Sequence, residues 1–230
     1  MSSPPDIAPA GSAPSARERR REATRETVLD AAIELFSEQG CEGTTMRDIA
    51  DRSGVKPPLI VYHFENKENL WKAAVDEVWR RMEATLVERM RAQGVPDASD
   101  DELAHSPRTL RVVLRSFLES LGRHPAYLRI LLREGSHRGP RFQWLRDHHT
   151  RRNYAAGVRL FEAAQARGWL PDVPTDHLLF VLMGALTFPL AIAEDVEAHT
   201  GKDPRSQRFL DDHIDTLMTL LLPQPTSHEE

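Results

Sequence analysis

Residues 46–65 read MRDIADRSGVKPPLIVYHFE, and five of them stand where two short helices crossing at a steep angle need them: Ile49, Ala50, Gly54, Val55 and Ile60. Ile49 faces the preceding helix. Ala50 must be small because the second short helix crosses closely above it. Gly54 turns the chain where φ is positive, a region glycine enters at no steric cost. Val55 plugs the corner, Ile60 returns an apolar group to the same core, and Phe64 joins it. An alanine, three residues, Gly-Val, four residues and an isoleucine form the pattern of a DNA-binding helix-turn-helix. The same corner also suits a helical hairpin with no nucleic-acid role.

The rest of the chain reads as helices. Leu29, Ala32, Ile33 and Phe36 fall on one face of a helix of about five turns, which Gly40 stops in a left-handed conformation. Thr44 or Thr45 caps the next, short helix, which breaks at Ser53-Gly54. A third begins at Pro57, where proline is tolerated because the first turn has no use for its N–H. Asn66 caps a long helix whose apolar positions Leu70, Ala74, Val78, Met82, Leu86 and Met90 step by four, the mark of a connector. The polar, acidic stretch 93–107 reads as a loop between two units. Three helices follow: Ser106-Pro107 to Gly122, His124-Pro125 to Gly135, and a long one from Gly139-Pro140 to Gly168. Two unusually apolar helices close the chain, roughly Asp176–His199 and Arg205–Leu222. No segment alternates with period two, so the fold class is all-α. An N-terminal three-helix helix-turn-helix domain is joined by a long helix to a C-terminal helical domain. The expected divisions are a disordered tail 1–16, a DNA-binding domain 17–72, a helical effector-binding and dimerisation domain 73–223, and a disordered end 224–230.

Composition narrows the classes. The 230 residues carry a net charge of -5, which argues against coating nucleic acid by bulk charge. A local basic cluster is present all the same: Arg17, Arg19, Arg20, Arg21 and Arg25. The single cysteine, Cys41, allows no internal disulfide and fits a reducing compartment. The first sixteen residues do not read as a secretory signal and no apolar run is long enough for a membrane helix, so a cytoplasmic protein without membrane contact is expected. No glycine-rich phosphate loop, G-x-S-x-G or H-E-x-x-H appears, so an enzyme is not expected. His148 and His149 are adjacent rather than four apart and make a poor metal pair. No metal and no cofactor are expected.

Around the corner the match extends: VLDAAIELFSEQG, then TTMRDIA, SGV and YHFENKENL. Over roughly Arg20 to Trp71 the chain resembles the TetR family of bacterial regulators, without gaps. Beyond residue 72 only the architecture is similar, several helices ending in two apolar ones. The resemblance implies a DNA-binding transcriptional regulator, most often a repressor, with a ligand-binding and dimerising C-terminal domain. Family members commonly place Ser or Thr after Gly-Val, where Lys56 stands here, and Tyr where Val61 stands.

Residues expected to enter or border a major groove are Lys56, Pro57, Leu59, Val61, Tyr62 and His63. Leu59 or Val61 could pack on a thymine methyl, while Tyr62 and His63 suit phosphates. Thr45, Arg47 and Lys67 occupy positions where family members grip the flanking backbone, and the arginine cluster becomes an arm toward the minor groove. Phe117, Tyr127, Trp144, His148, Tyr154, Phe161, Met183 and Phe188 are candidates for an effector pocket. Leu182, Leu186, Leu210, Ile214, Leu217 and Leu221 are candidates for a homodimer interface. The expected partners are double-stranded DNA bearing a palindromic operator, a small-molecule effector and a second copy of the chain. The alternative is a helical adaptor that binds only protein.

Overall fold

A computed structural model describes residues 15–95 and 106–221, and every regular element among them is helical. The expected tails 1–16 and 224–230 lie outside the described residues except for Ser15 and Ala16, as do most of the 93–107 loop and Leu222. The chain divides into two compact units after Ala74.

The first unit holds α1 (Ala16–Gly43), α2 (Met46–Ser53), α3 (Pro57–Phe64) and the first two turns of α4 (Lys67–Ala92). α1 is longer than its apolar face predicts. Ser15 and Glu18 cap one another, Ser15 N–H donating to Glu18 Oε2 at 2.6 Å and Glu18 N–H to Ser15 Oγ at 3.2 Å. This capping box starts the helix two turns early. The arginine cluster is therefore helical and does not form an extended arm. Gly40, with φ 77°, breaks α1 near its end. Thr44 is buried and gives its hydroxyl to Gly40 O at 2.9 Å, which leaves Thr45 to cap α2. Leu29, Ala32, Phe36, Ile49, Ile60, Leu70 and Trp71 are buried together with Ala50 and Phe64. Losing a side chain such as Ile60 to alanine would cost about 2–5 kcal/mol.

The second unit takes the rest of α4 and seven further helices: α5 (Pro107–Arg123), α6 (Pro125–Gly135), α7 (Pro140–Leu145), α8 (Arg151–Ala166), α9 (Thr175–Ala191), α10 (Ala193–Thr200) and α11 (Gln207–Leu221). Leu110, Leu114 and Leu118 of α5 meet Phe161 of α8, Leu182 and Leu186 of α9, and Ile214 of α11 in one core. α8 and α9 approach closely at Gly157, where a Cβ would lie 3.1 Å from Leu179 Cδ1.

Two long helices expected from sequence are interrupted. Between α7 and α8 the turn Arg146–Thr150 is a π-turn, closed by Arg151 N–H donating to Arg146 O. The stretch expected as one helix to His199 breaks at Ile192 (φ -119°, ψ 39°), and α9 and α10 are bent by 74°. Pro189 sits just before the break and lacks the N–H that would bond Ala185 O. His213 of α11 serves that carbonyl instead, its Nε2 lying 2.8 Å from Ala185 O. Among the described residues no single helix is long and apolar enough to cross a membrane.

Candidate functional site

The corner forms as its residues require. Thr45 caps α2 through a reciprocal pair: its hydroxyl accepts from Asp48 N–H at 3.2 Å, and Asp48 Oδ2 accepts from Thr45 N–H at 2.8 Å. The Thr45 hydroxyl also donates to Asp48 at 2.7 Å, and these bonds hold the Asp48 carboxyl below the usual carboxylate range. Gly54 then caps α2 in the left-handed conformation, φ 69° and ψ 9°. α3 begins at Pro57 with Lys56 as a cap that supplies no side-chain bond. Val55 is half-buried rather than core, its N–H donating to Ser53 Oγ at 3.3 Å.

α3 turns Ile60 and Phe64 inward and presents Lys56, Pro57, Pro58, Leu59, Val61 and Tyr62 outward. No carboxylate stands between Lys56 and Phe64. α1 lies beside this helix, and two of its arginines cover aromatic rings. Arg21 sits 5.8 Å from the Tyr62 ring centre and Arg25 5.6 Å from that of Phe64. These cation–π contacts place positive charge along the rim of the exposed face. Arg47 of α2 is extended into solvent, with only a loose 3.9 Å approach to Asp51.

Three residues expected at the DNA surface have other work. Lys67 turns inward and donates from Nζ to Cys41 O at 2.8 Å and Thr44 O at 3.2 Å, adding charged hydrogen bonds to carbonyls where α1 ends. The Thr45 hydroxyl is committed to the cap. His63 is half-buried, and burial together with Arg21 and Arg25 depresses its pKa, which disfavours a cationic contact to phosphate. The Ser-x-x-Glu of residues 15–18 was the sequence signal for the helical arginine stretch. The inward turn of Lys67 has no such signal, because it depends on how α1 ends in space.

In the second unit the expected effector residues fall into separate groups, Tyr127, Trp144 and His148 joined through Trp79 and His149, and Phe117, Phe161 and Met183 in the core. Phe161 is core, and Phe117 and Met183 pack against it. Tyr127 is buried beside Trp79, ring centres 4.4 Å apart, and burial pushes its phenol up to about 12. Trp144 stacks on His148 at 4.5 Å, and His149 turns to Asp76 at 2.8 Å. Tyr154 stacks on Phe180 at the surface, and Phe188 is exposed. A concave site of about 110 Å³ forms elsewhere, with aliphatic walls from Leu121, Leu128, Leu132 and Leu190 and with Arg129 and Arg205 at its edge. Arg205 is paired with Glu194 at 2.7 Å. The site forms where α5, α6, α9 and α10 meet the loop at Arg205, so no local pattern announces it.

The expected dimer residues are also displaced. Leu182, Leu186, Leu210, Ile214 and Leu217 are buried in the protomer's own core and have no face to offer a second chain, while Leu221 packs against that core and stays partly exposed. The apolar residues left exposed are their neighbours Phe180, Val181 and Phe188 on α9 and Leu220 on α11.

Fold and corner together define an all-helical protein whose N-terminal unit is a helix-turn-helix. Residues 28–74 match the pattern of the bacterial regulatory proteins of the tetR family. Over that stretch the N-terminal unit is similar to the DNA-binding part of those regulators, and the chain spans less than a third of the length of several of the relatives it matches. IcaR of Staphylococcus epidermidis, a negative transcriptional regulator of a biofilm operon, is 38% identical over 52 residues, 23% of this chain and 28% of that protein. The transcriptional repressor NicS of Pseudomonas putida is 26% identical over 161 residues, 68% of this chain and 70% of that one. Among solved structures, AibR in complex with isovaleryl coenzyme A and operator DNA is similar with a TM-score of 0.66 and 18% identity, over 87% of this chain and 98% of that one.

Proposed function

We propose that this chain is a DNA-binding transcriptional regulator, a homodimer that represses from a palindromic operator and is released by a small molecule. The observation that carries the reading is the outer face of α3. It is exposed, free of carboxylates and rimmed by Arg21 and Arg25, in a chain whose net charge is negative. Such a face meets a duplex without repulsion, and Arg47 and Lys56 supply phosphate contacts beside it. The likeness to IcaR and NicS supports regulation rather than catalysis. The protein works where its DNA is, in the cytoplasm.

One short recognition helix touches few base pairs, so two are needed, about 34 Å apart on a palindrome. The exposed stripe Phe180, Gly184 and Phe188, with Val181 beside it, is the face for the second copy. Gly184 has open space where a Cβ would stand, which lets a partner helix come close. The effector enters the second unit at the concave site. Arg205 is held by Glu194 and approached by Asp203, which leaves Arg129 as the lining guanidinium to meet the polar end of a small, largely aliphatic ligand.

The test is capture of genomic fragments by the full-length protein at low salt, followed by titration across salt concentrations. Selective retention of particular fragments, with affinity that falls steeply as salt rises, is expected. Failure to retain any fragment at low salt would overturn the reading.

A further inference from the structure

We propose that α3 recognises its half-site chiefly through thymine methyl groups, contacted by Leu59 and Val61. The inference rests on the reading that α3 enters a major groove. At 3.6 residues per turn, each step rotates the side chain by about 100°. With Ile60 and Phe64 turned into the core, Pro58 and Tyr62 stand about 160° from Ile60, and Leu59 and Val61 about 100° to either side of it. Leu59 is 41% exposed and Val61 48%. Two large apolar side chains thus flank the outermost line of an eight-residue helix, each with nearly half its surface open to solvent.

What the helix lacks is equally specific. Residues 56–65 contain no arginine, asparagine or glutamine, and their one lysine, Lys56, stands at the cap rather than on the helix, so the helix itself carries none of the side chains whose paired bonds distinguish guanine and adenine in the major groove. Pro57 and Pro58 also remove the N–H groups that the first turn would have offered to a base or phosphate. Tyr62 has Arg21 over its ring, which keeps the ring at the α1 side of the surface. Lys56 stands at the helix cap, suited to a phosphate. Beside the Tyr62 hydroxyl, the large groups exposed on α3 are the apolar Leu59 and Val61, and the only apolar group exposed on a base edge in the major groove is the thymine C5-methyl.

The experiment uses the full-length protein. Operator duplexes are first selected from a random library, and each thymine of a selected half-site is then replaced in turn by 2′-deoxyuridine, which removes the methyl and nothing else. One or more replacements in each half-site should weaken binding about threefold to tenfold, the scale of one buried methyl contact. Leu59→Ala and Val61→Ala, each at an exposed position, should shrink the thymine-to-uracil difference at the thymine it touches. Equal affinity for thymine and uracil duplexes, with loss on replacing guanine by 7-deazaguanine, would overturn the inference and leave the regulator reading standing. Enrichment of no duplex at low salt would overturn both.

Discussion

Lys67 sits at the start of α4 yet spends its charge on the end of α1, where Cys41 O and Thr44 O receive its ammonium. Replacing it by methionine keeps the stem and deletes both bonds. Lys67→Met should therefore destabilise the protein by about 1–3 kcal/mol in denaturant unfolding. The salt dependence of DNA binding should stay the same, because removing a phosphate contact would lower its slope by about one. The histidines of the second unit make a different statement. Burial depresses the pKa of His124 and of His149, although Asp76 pulls the latter upward. The unfolded chain then takes up protons first as pH falls. Stability conferred by the neutral rings is complete above about pH 6.5 and declines below it. Thermal midpoints measured from pH 7.5 down to 5.5 should fall, and His124→Gln with His149→Gln should flatten that fall.

At the scale of elements, the corner of α2 and α3 was legible because each position answers a local demand: a cap at Thr45, a left-handed residue at Gly54, a proline at the first turn of α3. Pro189 was legible too, but its remedy was not. The carbonyl it strands at Ala185 is served by His213, on another helix and 28 positions along the chain, and only packing makes them neighbours. Deleting the donor leaves a carbonyl without its bond, unless the proline is removed as well. A double-mutant cycle on Pro189→Ala and His213→Phe should show a coupling of about 1 kcal/mol in urea unfolding. Additive effects would show that the two act separately. The π-turn at Arg146–Thr150 was equally invisible, since neither Pro nor Gly marks it; it sends His148 to Trp144 and His149 to Asp76.

For the whole molecule, assembly follows from which side of α9 remains apolar after the protomer has filled its own core. Periodicity identified α9 and α11 as apolar around most of their circumference, yet it could not tell the inward side from the outward one. Leu182 and Leu186 belong inward; Phe180, Val181 and Phe188 are left outside. Val181→Glu and Phe188→Glu should therefore give folded monomers in sedimentation, with weakened operator binding. Leu217→Glu, which drives a charge into the core, should lose the fold itself, with a drop of several kcal/mol. The proline break in α9 reaches further than stability. Position 189 and position 213 form one hereditary character written in two places: a lineage that replaces the proline releases the histidine from selection, and one that loses the histidine first inherits a weakened helix. Among descendants of a common ancestor the two should change together, proline before histidine.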